Sequence, residues 1–354
     1  MRVLKYIFIA LIVVIAAVIV LTRVPVIQDL IVKKGIERII NAPNPFPKED
    51  ALTAVVCGSR GPLPGPPRAE TCILVKAGED MYIVDTGDGS LANLRNWQVQ
   101  LNQVRSVLLT HLHSDHISDL PDFHLNTWVT QNRPSKLNVF GPKGVETVTA
   151  GFEQAYKFDS KWRNEHHGNI LASLDVAGYN AHTIDPSDPV IIDHNGLKVT
   201  AFEVNHLPVE PALGFRFDYK GRSIVISGDT SYNKNLIKHS QDADVLFHEA
   251  LSKDLNEIIR KEFLKSGRDQ VDILFQDILD YHTSPIEAAE SANQANVKHL
   301  IFYHLVPAPR NKILEQVFLR GVKDIRDDWT LSKDGTMVIL PVNSDKIEIT
   351  KIRN

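Results

Sequence analysis

His111, His113, Asp115 and His116 fall within six residues, directly after the apolar run Ser106 to Leu109. Imidazole nitrogen and carboxylate oxygen are donors that zinc accepts, and sites with three protein ligands keep a position for water. His111 and His113, two apart, point the same way from the end of an extended strand. Asp115 and His116 follow on the turn, where they can face a second ion. Two ions about 3.5–4 Å apart can share a hydroxide, lowering its pKa and stabilising the entering and leaving oxygens of a displacement.

Four donors do not complete two sites, and three further candidates stand at strand ends. His206 follows the run Val199 to Asn205, Asp229 follows Ile224-Val-Ile-Ser-Gly228, and His304 closes Leu300-Ile-Phe-Tyr303. Reactive groups on loops at the ends of rigid strands are what a preorganised site requires. Taken singly, Asp229 also reads as a turn former and His304 as a satisfied core residue. His124, His166, His167, His182, His194, His239 and His299 lack such company and read as ordinary surface or core histidines.

The elements that must carry these residues are short β-runs. Leu52 to Val56, Thr71 to Val75, Met81 to Val84, Ser106 to Leu109 and Leu137 to Phe140 are strand-like, bounded by turn formers. Gly141-Pro142 opens a helix toward Lys157, and the polar stretch Asp159 to Asp193 reads as an insertion covering the core. Strand signals return at Lys198 to Val204, Leu213 to Tyr219, Ser223 to Ser227, Val245 to Phe247, Lys298 to Tyr303 and Thr336 to Leu340. Helices are expected over Lys253 to Lys265 and Pro285 to Ala295. Strands followed by mixed βα units, twice over, predict an α/β protein, an αββα four-layer sandwich of two sheets between helices.

The wording of these motifs carries a resemblance. His111-Leu-His-Ser-Asp-His116, Ser227-Gly-Asp-Thr230, His248-Glu-Ala250, His282-Thr-Ser-Pro-Ile-Glu-Ala-Ala289 and Phe302-Tyr-His-Leu305 resemble the metallo-β-lactamase superfamily, most of all its ribonuclease Z-like branch, which includes zinc-dependent arylsulfatases. The resemblance covers residues 51 to 342. It implies two Zn2+ per chain, one held by His111, His113 and His206, the other by Asp115, His116 and His304, with Asp229 bridging. It implies that Asp85 supports the ligand loop, that Asp115 sits beside the nucleophile, and that His248, Glu249 and His282 assist protonation of the leaving oxygen. Homodimers are common in that branch. Redox relatives bind iron and usually replace a histidine of the ligand loop with a carboxylate; His113 remains histidine here, so an iron-containing redox or metal-binding protein is the reading of another class.

Outside that region the chain divides into an anchor (1–24), a linker (25–50) and a tail (343–354). Tyr6 to Thr22 is uncharged and almost wholly aliphatic, approaching the length that spans a bilayer core. No small-residue cleavage site follows it, so an uncleaved anchor is favoured over a removed signal. The short basic start predicts a membrane-anchored, extracytoplasmic (periplasmic) body. Cys57 and Cys72 flank a loop, Gly58 to Pro67, with three glycines and four prolines. They read as small buried residues in adjacent strands, a disulfide being the alternative in an exported domain. A hydrophobic content of 43%, charged content of 23% and net charge of −4 describe a folded protein without the basic surplus of a nucleic-acid binder. Residues 151–193 also lack the dense basic cluster of the tRNA-gripping arm in that branch. The expected activity is therefore metal-hydroxide hydrolysis of a small phosphodiester, aryl sulfate or related ester; a cytoplasmic ribonuclease Z is the alternative.

Overall fold

The computed structural model describes residues 2–41 and 43–352, which form two units, Met1–Asn44 and Pro45–Asn354. In the first, Arg2–Leu21 and Pro25–Ile40 are helices. The stretch Val3–Leu21 is long and apolar enough to cross a membrane. The expected linker therefore begins as a 16-residue helix, started by Pro25 at a position where a missing N–H costs nothing.

The second unit alternates strands and helices. Its strands in chain order are β1 (Ala51–Gly58), β2 (Cys72–Ala77), β3 (Asp80–Val84), β4 (Val104–Leu108), β5 (Leu137–Gly141), β6 (Tyr179–Thr183), β7 (Val190–His194) and β8 (Leu197–His206). There follow β9 (Val209–Tyr219), β10 (Arg222–Ile226), β11 (Val245–Leu251), β12 (His299–Val306), β13 (Trp329–Leu331), β14 (Thr336–Pro341) and β15 (Glu348–Lys351). One sheet runs β15-β14-β1-β2-β3-β4-β5-β6 and the other β13-β12-β11-β10-β9-β8-β7.

Strand alternation builds the layers. Along β1, Leu52, Ala54 and Val56 join a core that also takes Phe215, Phe217, Ile224 and Phe247 from the other sheet. Val55 and Cys57 point the opposite way, toward Leu91 and Leu94 of the helix Ser90–Asn96. On the far side, Val225, Leu246 and Leu300 pack with Ala288, Ala289 and Ala292 of the helix Pro285–Gln294. Sheets face each other and helices cover both outer faces, the four-layer arrangement that the element order predicts.

Four strands escape sequence reading: β6, β13 and β15, which carry no apolar run, and β7, whose run is only Val190-Ile-Ile192. Each is half-exposed along most of its length, and each lies at the end of a sheet. The stretch 159–193 is thus not merely a covering insertion; it contributes most of the helix Lys157–Ala172 and an edge strand to each sheet. The expected tail likewise supplies β15, paired to β14 from Thr336↔Lys351 to Ile339↔Glu348.

Cys57 and Cys72 are bridged, with Cα atoms 4.9 Å apart, which corrects the expectation of two unlinked residues in adjacent strands. The strands are adjacent, but a register shift between Val56 and Gly58 brings the two thiols to the same place. The bridge spans 15 positions of sequence, so on the loop-closure account it contributes about 3 kcal/mol. Replacing both cysteines by alanine should lower the stability extrapolated to water by a corresponding amount and steepen its urea dependence, because the released chain is more open when unfolded; an unchanged midpoint and slope would show the bridge to be dispensable.

Candidate functional site

The ends of β4, β8, β10 and β12 deliver the predicted donors to one place. His111 Nε2 lies 3.0 Å from His113 Nδ1, which lies 3.4 Å from His206 Nε2. Beside this trio, Asp115 Oδ2 lies 3.5 Å from His116 Nε2 and 3.2 Å from His304 Nε2. Zinc–ligand bonds of about 2.0–2.2 Å in tetrahedral geometry require donors about 3.3–3.5 Å apart. These four distances meet that spacing to within a few tenths of an ångström, and all donors of each trio lie within 4.8 Å of one another.

Asp229 lies between them. Its Oδ2 is 3.2 Å from His304 Nε2, 3.4 Å from His116 Nε2, and 4.0 Å from both His111 Nε2 and His206 Nε2. One carboxylate is thus within reach of donors from both sets. Gly228 makes this presentation possible: its φ is +63°, and a Cβ there would stand 2.3 Å from the Leu213 carbonyl oxygen. His304 itself adopts φ +43° within β12, and Asp85 adopts φ +59° at the end of β3. Side-chain-bearing residues held in this conformation cluster where surrounding structure dictates an unusual aim.

Supporting contacts fix the rings. The Asp85 carboxylate accepts from Thr110 N and Thr110 Oγ1, each at 2.8 Å, and lies 2.8 Å from His116 Nδ1. His206 Nδ1 lies 3.0 Å from the Tyr281 carbonyl oxygen. In both rings the backing holds Nδ1 and leaves Nε2 for the cluster. Neither His116 Nε2 nor Asp229 Oδ1 has a hydrogen-bond partner among the described residues, although both atoms are fully buried. Unpartnered donors this deep are costly unless something else engages them.

The electrostatics point the same way. Burial alone would raise the Asp229 carboxyl, yet His304 and His116 hold it well below the ordinary carboxylate range. Burial likewise opposes ionisation of Asp115, which is nevertheless lowered by His116 and His304. Burial would lower His116, but Asp229, Asp115 and Asp85 outweigh it and raise the ring well above its usual value. His111 is lowered by burial and then by His116. Anionic oxygens thus draw positive charge to the middle of the cluster, and the donor set fits a pair of divalent cations.

Glu249 and His282 adjoin the cluster. Glu249 Oε1 accepts from Thr283 N at 2.8 Å and approaches His282 Nδ1 to 3.2 Å. That approach is off the line of a hydrogen bond, since His282 Nδ1 has no partner of good geometry. His282 offers a ring nitrogen to groups containing Asp229 and His304. His248 offers no ring nitrogen to these groups. Its Nδ1 lies 2.8 Å from the Glu249 carbonyl oxygen. The histidines set aside in the sequence stay outside the cluster as well. His124 packs on Trp128 and Tyr179, and His239 stacks on Phe202.

Two contributors escaped sequence reading. The Tyr281 carbonyl is a backbone group and leaves no sequence signal. Gly61 belongs to the loop closed by the disulfide, and a Cβ there would come within 3.0 Å of His304 Cε1 and 2.7 Å of Val306 Cγ2.

A profile of the Beta-lactamase superfamily domain matches residues 73–305. Over 258 residues the chain is 33% identical to ribonuclease Z of Mycolicibacterium gilvum, covering 72% of this chain and 85% of that relative. The metallo-beta-lactamase fold protein YhfI from Bacillus subtilis superposes with a TM-score of 0.59 at 20% identity, over 82% of this chain and 100% of its own. Human tRNase Z, short form, gives 0.58 at 22% identity, over 82% and 99%. A hydrolase fold with a histidine–aspartate cluster at its strand ends is therefore in hand. The chain belongs to the metallo-β-lactamase superfamily.

Two variants test the cluster. Asp229→Ala should reduce bound metal from two ions per chain to one or none by elemental analysis. Asp85→Asn should weaken the ion beside His116 about 10–100-fold, the usual effect of losing a supporting hydrogen bond. Full metal content in both proteins would remove the assignment.

Proposed function

We propose that the chain is a phosphodiesterase of the ribonuclease Z type, acting on RNA with two divalent cations, zinc suiting the donor set best. The carrying observation is the convergence of five imidazoles and two carboxylates around Asp229 Oδ2, within 4.0 Å of four ring nitrogens. The 33% identity to a ribonuclease Z, over 85% of that relative, favours a phosphodiester over a sulfate ester or lactone. It also weighs against the sequence-based expectation that nucleic acid is not the partner, since net charge is an average and the substrate needs only a local surface.

His111, His113 and His206 would hold one ion, and Asp115, His116 and His304 the other, with Asp229 between them. When bound, such ions activate water and neutralise the charge that grows on the ester oxygens. The protein does the rest. Asp85 and the Tyr281 carbonyl keep two rings from rotating. Burial excludes bulk water, which strengthens each fixed charge at the reacting centre. Glu249 ties down the loop that carries His282 through the Thr283 N–H, and the His282 ring can give a proton to the departing ribose oxygen.

A second reading, an ester hydrolase outside the cytoplasm, is favoured by the Cys57–Cys72 bridge, because disulfides persist in oxidising compartments. The apolar stretch Val3–Leu21 supports membrane attachment under either reading.

The discriminating experiment offers the protein precursor tRNA, bis(p-nitrophenyl) phosphate, an aryl sulfate and a lactone, each with and without chelator. Chelator-sensitive cleavage of the precursor tRNA supports the main reading; turnover of aryl sulfate or lactone alone overturns it. His282→Ala should slow RNA cleavage about 10²–10⁴-fold, the range of general acid catalysis. It should spare the p-nitrophenyl diester, whose leaving group needs no proton. Equal losses on both substrates would make His282 a structural support only.

A further inference from the structure

The helix Lys157–Ala172 breaks at Gly168 (φ +71°, ψ 179°) and displays an apolar surface that the rest of the unit does not cover. Phe158 and Trp162, one turn apart, are 64% and 61% exposed, and their rings stack with centroids 5.8 Å apart. Beyond the break Ile170 is 95% exposed, and Leu171 and Leu174 are nearly half so. The exposure is held in place. Asn164 Nδ2 donates to the Ala172 carbonyl oxygen at 2.8 Å and to Asn169 Oδ1 at 2.7 Å, bracing the fold-back across the glycine. Trp128, Val129 and Ala172 form a small core of their own at its base, and Trp128 Nε1 donates to the Ser173 carbonyl oxygen at 2.8 Å. A braced helix that presents Trp, Phe, Ile and Leu to solvent is not a loose loop, and patches of this kind mark interaction surfaces.

The flanking charges indicate what covers it. Lys157, Lys161 and Arg163 alternate with the aromatic pair along the helix. Arg163 is tied to Asp159 at 2.7 Å and Lys161 to Glu165 at 3.6 Å, while Lys157 has no acidic partner among the described residues. Exposed Trp and Phe bordered by Lys and Arg is the composition of segments that lie in a membrane interface, the rings among the headgroups and the cations on lipid phosphates. The same chain carries Val3–Leu21, long and apolar enough to cross a bilayer, which would hold such a surface at high effective concentration.

We propose that the face of Phe158 and Trp162 is a membrane-interface contact that seats the catalytic unit on an anionic bilayer surface. The inference rests on the membrane attachment put forward above, not on the choice of substrate.

Of the four tryptophans, Trp97 and Trp128 are buried and Trp329 half-buried, so Trp162 is the one open to lipid. The full chain is placed in nanodiscs of anionic lipid, with or without bromine near the top of the acyl chains, and tryptophan emission is read. Bromine should quench the wild-type emission, and Trp162→Phe should lose that quench while retaining hydrolytic activity. Phe158→Ser should reduce the quench with Trp162 still present. If the chain enters the discs but bromine leaves Trp162 bright, the contact is overturned and the anchor survives. If the chain does not enter the discs, both fall. If instead added RNA changes the Trp162 emission and bromine does not, the face belongs to RNA and the proposal fails.

Discussion

The arrangement depends on a buried concentration of charge at the seam between two sheets. Asp229 comes from one sheet and Asp115 from the other, and each is hemmed by imidazoles delivered by both. Neither trio is complete without the opposite sheet: His206 joins His111 and His113, and His304 joins Asp115 and His116. The sandwich core brings these strand ends together, and an ion held there would stitch the sheets in return. Ligand occupancy and fold stability are thereby coupled, because binding that exists only in the folded state adds to its stability.

Around this seam, polar groups are placed to limit freedom more than to add attraction. Asp85 satisfies Thr110 twice and His116 once, so the loop and the ring share one anchor. Glu249 is fully buried and takes backbone hydrogen from Thr283, tying the His282 loop to β11. Ser227 accepts from the Glu249 backbone N–H at 3.0 Å, and Tyr303 Oη accepts from Gly228 N at 3.1 Å, which connects the Asp229 turn to two neighbouring strands. Movement of one donor would therefore disturb the others.

The chemistry was legible in the sequence where several reactive residues crowd together after an apolar run. His111 to His116 met that condition alone, and His206, Asp229 and His304 met it through their positions at strand ends. The layer order was legible too, because the central strands are apolar on both faces. Glu249 and His282 join the cluster, whereas His248, next to Glu249 in sequence, offers it no ring nitrogen. The edge strands β6, β7, β13 and β15 were invisible because an edge buries too little to demand an apolar pattern. The disulfide hung on a bulge between Val56 and Gly58, and no count of residues reports a bulge. Backbone groups such as the Tyr281 carbonyl have no letter of their own.

Gly61 sets a boundary on how this protein can diverge. Its Cα lies so near His304 that a side chain's first carbon would arrive 3.0 Å from the ring's Cε1 and 3.4 Å from the nitrogen that faces Asp115. The prolines that follow it, Pro62, Pro64 and Pro67, are exposed. Drift can therefore rewrite those prolines and reshape the edge they form, but a lineage that adds even a methyl group at position 61 must move Val306 and crowd a histidine to accommodate it.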